Sequence, residues 1–141
     1  MCGIAGIWRI NGNKSTDELT TIARNMGDAL VHRGPDNSGI FVDSTVGVGL
    51  SHRRLSIIDT SDNGNQPMFS SCGRFVVCYN GEIYNTEQLK HGLALKGYHF
   101  RGHSDTEVLL EGCAEFGIEE FIPHFNGIFA FALYDSASRS L

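Results

Sequence analysis

No part of this sequence is basic enough to suggest a nucleic acid, or apolar enough over a long enough run to suggest a bilayer. Lys and Arg number 11 against 16 Asp and Glu, the formal net charge is -5, and no run of basic residues occurs. That balance lacks the positive footprint with which proteins meet phosphate backbones and anionic membranes, so neither is expected as a partner. The chain nowhere strings together the roughly 18 apolar residues that a spanning helix needs. Its opening, MCGIAGIWRI, has no basic region ahead of an apolar core, so nothing points to secretion and a cytoplasmic, reducing location is the default. Metal and disulfide signatures are missing as well. Cys2, Cys72, Cys78 and Cys113 form neither a paired CxxC pattern nor a dense scaffold. The six histidines, His32, His52, His91, His99, His103 and His124, form no HExxH motif and read as loop and surface residues, so no metal is expected. There is no internal repeat, low-complexity tract or linker. With 141 residues, 41% of them hydrophobic, the expectation is one compact domain over 1–141.

What is present is an alternation of strand and helix signals with glycine-rich joints. Residues 3–10 read as a buried strand, and Ser15 with Glu18 forms a capping box that starts a helix with Leu19, Ile22, Ala23, Met26 and Leu30 on its apolar face. Gly34 and Pro35 should stop it near the His32–Asp36 loop. Strands are expected at 38–43 and 46–51, then mostly loop from His52 to Met68, then a strand from Arg74 to Tyr79 that delivers Asn80 and Gly81 at its end. Asn85 with Gln88, and Ser104 with Glu107, are spaced as two further capping boxes for helices over 86–96 and 105–116. Gly127–Asp135 is apolar on both faces and is followed by the turn-like Ser136, Ala137 and Ser138, so a hairpin partner is expected where the sequence ends at Leu141. A core strand without its neighbour exposes unpaired backbone, which points to a truncated or subdivided chain.

Cys2 carries the chemistry. Cysteine is small enough for methionine aminopeptidases to remove the initiator before it, leaving a thiol and an α-amine on one residue. A thiol near pKa ~8.5 is only slightly ionised at neutral pH, whereas an amine near ~7.7 exchanges protons readily there, so one residue supplies both nucleophile and base. The bland alternative is a cysteine at the start of an apolar strand. An acyl-transfer site also needs oxyanion donors, a cation for a carboxylate and carboxylates for an ammonium group. Asn80 and Gly81 offer a side-chain amide beside a backbone N–H, or else a simple turn. Arg54 offers a fork for an α-carboxylate, or half of a solvated basic pair with Arg53. Glu82 and Asp105 offer carboxylates, although Asp105 at a helix start equally reads as a dipole partner.

With these residues go sequence blocks MCGIAG at 1–6, HRGPD at 32–36, RLSIID at 54–59, NGEIYN at 80–85 and HSDTE at 103–107, supported by QPM at 66–68 and FAFALYD at 129–135. In this order and over the full 141 residues, the chain resembles a class II glutamine amidotransferase domain, specifically the N-terminal half of glutamine-hydrolysing asparagine synthetases. The resemblance implies an α+β fold, the four-layer αββα sandwich of N-terminal-nucleophile hydrolases, incomplete at its C-terminus. It implies that Cys2 attacks the glutamine amide, that Asn80 and the Gly81 N–H form the oxyanion hole, and that Arg54 binds the α-carboxylate. Glu82 and Asp105 would hold the α-ammonium, with Arg33 in a supporting role. The implied partners are glutamine and a synthetase domain not contained in these residues, and a homodimer is admissible. The domain itself needs no cofactor; ATP and Mg are expected only for the synthetase domain. Two other readings stay open: an amidotransferase domain whose enzyme aminates another carboxylate, such as a surface-polysaccharide sugar, and a non-catalytic glutamine-binding fragment.

Overall fold

The computed structural model describes residues 2–10, 15–56 and 62–141. Met1 and positions 57–59 of the RLSIID block lie outside them.

The first strand, β1 (Gly3–Trp8), is followed by helix α1 (Thr16–Asp28). The Ser15 hydroxyl accepts from Glu18 N at 3.2 Å and the Glu18 carboxylate accepts from Ser15 N at 3.1 Å, so both halves of the capping box form. Strands β2 (Asn37–Asp43) and β3 (Val48–Arg54) complete a three-stranded antiparallel sheet in the order β1-β3-β2. A second antiparallel sheet is built from β4 (Met68–Phe69), β5 (Phe75–Ile83) and β6 (Gly127–Asp135), with β5 central. Between β5 and β6 the chain forms α2 (Thr86–Ala94), α3 (Asp105–Phe116) and the short α4 (Ile118–Phe121).

The period-2 alternation of strands sorts side chains into layers. On β3, Val48 and Leu50 join Val76, Cys78 and Tyr134 in a core between the two sheets, while Ser51 and Arg53 face α1. On β5, Phe75, Val77, Tyr79 and Ile83 turn the other way and pack with Leu93, Val108, Leu109 and Cys113 beneath α2 and α3. The resulting order is helix, sheet, sheet, helices, an α+β sandwich of four layers. Among the described residues no helix is long and apolar enough to cross a membrane.

Several local expectations need correction. β3 continues to Arg54, beyond the expected end at 51. Its last residues are polar on both faces because one face meets α1 and the other lines a cleft. β5 does not stop at Tyr79 but runs through Asn80 and Gly81 to Ile83, since β6 pairs with it along that whole length, Asn80 opposite Ala130 and Gly81 opposite Phe129. Asn85 begins α2 without a side-chain cap. Its amide is used instead to donate to His124 O at 2.9 Å and accept from Asn126 N at 2.9 Å. Ser104 caps α3 by accepting from Thr106 N at 3.1 Å, but Glu107 turns away to Arg101 and Gly102. His52 is a core residue, 1% exposed, where a surface position was expected. After β6 the chain does turn back, with Asp135 and Ser140 in a two-way bridge.

Candidate active site

Cys2 immediately precedes β1 and is anchored from both sides. Arg33 Nε donates to the Cys2 carbonyl at 3.2 Å, and the thiol accepts from Leu55 N at 3.4 Å while lying 3.7 Å from Leu55 O. The HRGPD loop, which carries Arg33, is held against the end of β3. Asp36 N donates to Arg54 O at 3.0 Å and Asp36 Oδ2 accepts from Ser56 N at 2.8 Å, stitching the loop to the end of β3. Between them Gly34 lies so near the Arg53 backbone that a Cβ would stand 2.4 Å from its carbonyl oxygen, a close approach that glycine permits.

The tandem arginines divide according to strand alternation. Arg53 reaches back to α1, where Nε donates to Gly27 O at 3.2 Å and Nη2 pairs with Asp28. Arg54 points the other way, is 6% exposed, and donates from Nη1 to Asn65 Oδ1 at 2.7 Å. Asn65 is itself fixed by a 3.0 Å bond from its amide to Asp62. The solvated basic pair is therefore not what forms: one arginine ties a helix to its sheet, and the other is held as a fork in the cleft.

The free edge of β5 supplies the donors. β4 pairs with β5 only at Val76 and Val77, and past that point the N–H groups of alternate residues face an edge with no neighbouring strand among the described residues. The Tyr79 N–H is taken by Gln66 Oε1 at 2.6 Å and the Ile83 N–H by Asp105 Oδ2 at 3.1 Å. Alternation places the Gly81 N–H on this edge between them. Asn80 shares the face of Val76 and Cys78, which is the face turned to β1. Asp105, the first residue of α3 and 8% exposed, uses Oδ2 for both Ile83 N and the Tyr79 hydroxyl, the latter at 2.8 Å. Burial, reinforced by this carboxylate, drives the Tyr79 phenol far above its ordinary range.

Cys2, Arg54, Asn80, Gly81, Glu82 and Asp105 all line one cleft of about 360 Å³, a size suited to a small molecule. Glu82 is exposed at its rim, and Arg33 acts from behind Cys2. Every residue singled out from sequence is thus at the cleft or one contact from it. Sequence reasoning missed Gln66, which lines the cleft and holds both Tyr79 N and Thr106 Oγ1, the latter at 3.3 Å. It also missed the Leu55 backbone and Asn65. The QPM block contained the signal for Gln66, but no local pattern says where an amide's hydrogen bonds go. Among the described residues no three His, Cys, Asp or Glu side chains are grouped to hold a metal.

Comparison with known proteins places the chain in a family. The profile of a family described as "Glutamine amidotransferase domain" matches residues 1–141. Asparagine synthetase [glutamine-hydrolyzing] 1 of Bacillus subtilis (strain 168) is 40% identical over 141 residues, and asparagine synthetase [glutamine-hydrolyzing] 3 of that strain is 42% identical over 143. In both cases all of this chain is covered but only 22% of the relative, so the chain spans about a fifth of their length. Among solved structures, the glutamine phosphoribosylpyrophosphate (PRPP) amidotransferase from B. subtilis, complexed with ADP and GMP, superposes with a TM-score of 0.72 at 23% identity, over 94% of this chain and 35% of that one. That likeness establishes a shared fold, the four-layer α+β sandwich described above. With the family profile covering the chain from end to end, the chain belongs to the glutamine amidotransferase domain family.

Proposed function

We propose that this domain hydrolyses glutamine with the Cys2 thiol as nucleophile. The observation that carries the reading is the convergence of the anchored thiol, the buried Arg54 fork, Asn80 and Gly81 and two carboxylates on one cleft. Arg54 grips the substrate α-carboxylate, and Glu82 with Asp105 holds the α-ammonium. The α-amine of Cys2, exposed once Met1 is cleaved, takes the thiol proton directly or through water as sulfur adds to the amide carbon. Asn80 and the Gly81 N–H meet the oxyanion. Collapse of the tetrahedral adduct expels ammonia, protonated by the same amine, and leaves a γ-glutamyl thioester. Water then attacks the thioester carbon, releasing glutamate and restoring the thiol. Arg33, bonded to the Cys2 carbonyl, fixes the residue from which the sulfur reaches.

In the whole protein this ammonia passes to a synthetase domain that adds it to an activated carboxylate, with aspartate as acceptor in keeping with the asparagine synthetases it resembles. ATP and Mg belong to that domain, and the amidotransferase chemistry needs neither. A cytoplasmic setting keeps the nucleophilic thiol reduced. The test is ammonia release from glutamine by wild-type and Cys2→Ala protein, with intact mass to show whether Met1 has been removed. The reading requires activity in the processed wild type and none in Cys2→Ala; undiminished hydrolysis by the variant would refute it.

A further inference from the structure

His52 takes no part in the scheme above, yet it sits directly behind the oxyanion donors. It is 1% exposed, and its Nε2 lies 3.2 Å from the carbonyl oxygen of Tyr79. A carbonyl only accepts, so Nε2 carries the proton and Nδ1 is a bare acceptor. Nδ1 has no hydrogen-bond partner among the described residues. Burial, aided by the nearby Arg54 charge and opposed by the Tyr79 bond, brings the imidazole down to about 4, so the ring is neutral near pH 7. An apolar residue of similar volume would fill the same space without an orphaned nitrogen. What it would not supply is a donor to Tyr79 O.

That donor matters because of which peptide it holds. The Tyr79 carbonyl and the Asn80 N–H belong to one planar unit, and rotation of that plane swings Asn80 and, one residue on, the Gly81 N–H. β4 no longer accompanies β5 at this point, and among the described residues side chains hold the edge instead. Gln66 accepts the Tyr79 N–H at 2.6 Å, His52 donates to the Tyr79 carbonyl, and Asp105 accepts from the Tyr79 hydroxyl at 2.8 Å. Of these three, His52 alone reaches across from the other sheet, from β3, where it pairs with Ile4 two residues after Cys2. It thereby couples the strand that follows the nucleophile to the strand that carries the hole. We propose that His52 is a positioning residue for glutamine hydrolysis, holding the Asn80 and Gly81 donors in place through its bond to Tyr79 O. This rests on the assignment of Cys2 and the oxyanion hole made above.

The test compares His52→Leu, which removes the donor, with His52→Gln, whose amide nitrogen reaches about as far as Nε2. Steady-state ammonia release gives kcat and KM, and two ligands separate ground state from oxyanion. L-glutamate reports ground-state binding, and an aldehyde analogue of glutamine adds to the thiol and presents its oxygen to the hole. We expect His52→Leu to lose about tenfold in kcat and a similar factor in aldehyde affinity, a fraction of what outright removal of an oxyanion donor costs. KM for glutamine and affinity for glutamate should change by less than about twofold, and His52→Gln should recover most of the loss. Should His52→Leu not fold, His52→Asn, whose shorter amide cannot reach Tyr79 O, takes its place. The proposal is overturned if kcat is unchanged, if aldehyde and glutamate weaken together, or if the Gln variant is no better than its partner. It is also overturned if ¹⁵N spectra of the wild type put the proton on Nδ1. A wild type that neither hydrolyses glutamine nor binds the aldehyde would instead sink the glutaminase reading, and this role with it.

Discussion

Replacing Gly64 with alanine places a Cβ 2.1 Å from Arg54 Nη2 and 2.8 Å from its Cζ, well inside the ordinary contact distance of about 3.5 Å. The guanidinium must retreat by roughly 1 Å or more. Because Arg54 is 6% exposed it has little room to swing, and its 2.7 Å bond to Asn65 is the first contact at risk. A displaced fork forfeits one of its charge-assisted bonds to the substrate carboxylate, worth about 1.5–3 kcal/mol. At about 1.4 kcal/mol per decade, KM for glutamine should rise roughly 10- to 150-fold. The α-carboxylate is bound alike in ground and transition states, so kcat should change little. Ammonia release provides KM and kcat, and titration of glutamine into Cys2→Ala with and without Gly64→Ala provides the binding constant directly. As a control, 4-aminobutanamide, which is glutamine without its α-carboxylate, should be indifferent to the alanine. A KM within about twofold of wild type, or a fall in kcat alone, would show that Arg54 does not hold the carboxylate.

Three other outcomes follow from the same geometry. Asn80→Ala should lower kcat by about 10²- to 10³-fold with KM nearly unchanged and thermal melting preserved, as removal of a side-chain oxyanion donor does; an unaffected kcat would remove Asn80 from the chemistry. His52, held down to about 4 by burial, binds a proton more readily unfolded than folded. Its contribution is therefore complete above the ordinary value of 6.5 and is lost as pH falls from there toward about 4, by up to roughly 1.4 kcal/mol per pH unit. Urea midpoints across that window should show the slope in wild type and a flatter one in His52→Gln. Asp135, whose carboxylate accepts from Arg74 Nε at 2.8 Å and Nη2 at 2.5 Å, is held well below its ordinary 3.8. Its stabilisation is present above that value and fades as pH falls through it, so the stability deficit of Asp135→Asn at neutral pH should shrink in acid, again by urea midpoints.

Where sequence and structure agree, the determinant is local. Ser15 and Glu18 sit three positions apart and satisfy each other's backbone, so the start of α1 is written in four residues. The blocks around Cys2, Arg54, Asn80 and Asp105 identify the site because each carries its own chemistry. Where they part, the determinant lies far along the chain. Asn80 and Gly81 look like a turn until β6, almost fifty residues later, pairs through them. Asn85 has the spacing of a cap, but His124 and Asn126 claim its amide. The polar run from Ser51 to Arg54 hides a strand because Ser51 and Arg53 meet the C-terminal end of α1 at Gly27 and Asp28, while Arg54 lines the cleft. His52 within it looked like a surface residue for the same reason.

The central claim is that Cys2 is the residue that attacks glutamine, and alkylation by a diazoketone analogue of glutamine tests it most directly. Competing thiols are well separated in character: burial pushes Cys78 and Cys113 up to about 12, while Cys72 is exposed and serves as an internal control for non-specific reaction. The account predicts one adduct, on the N-terminal peptide at Cys2 with Met1 removed, formed at a rate that glutamine suppresses and that Gly64→Ala slows. An adduct on Cys72 that glutamine does not suppress, with Cys2 unmodified, would contradict it.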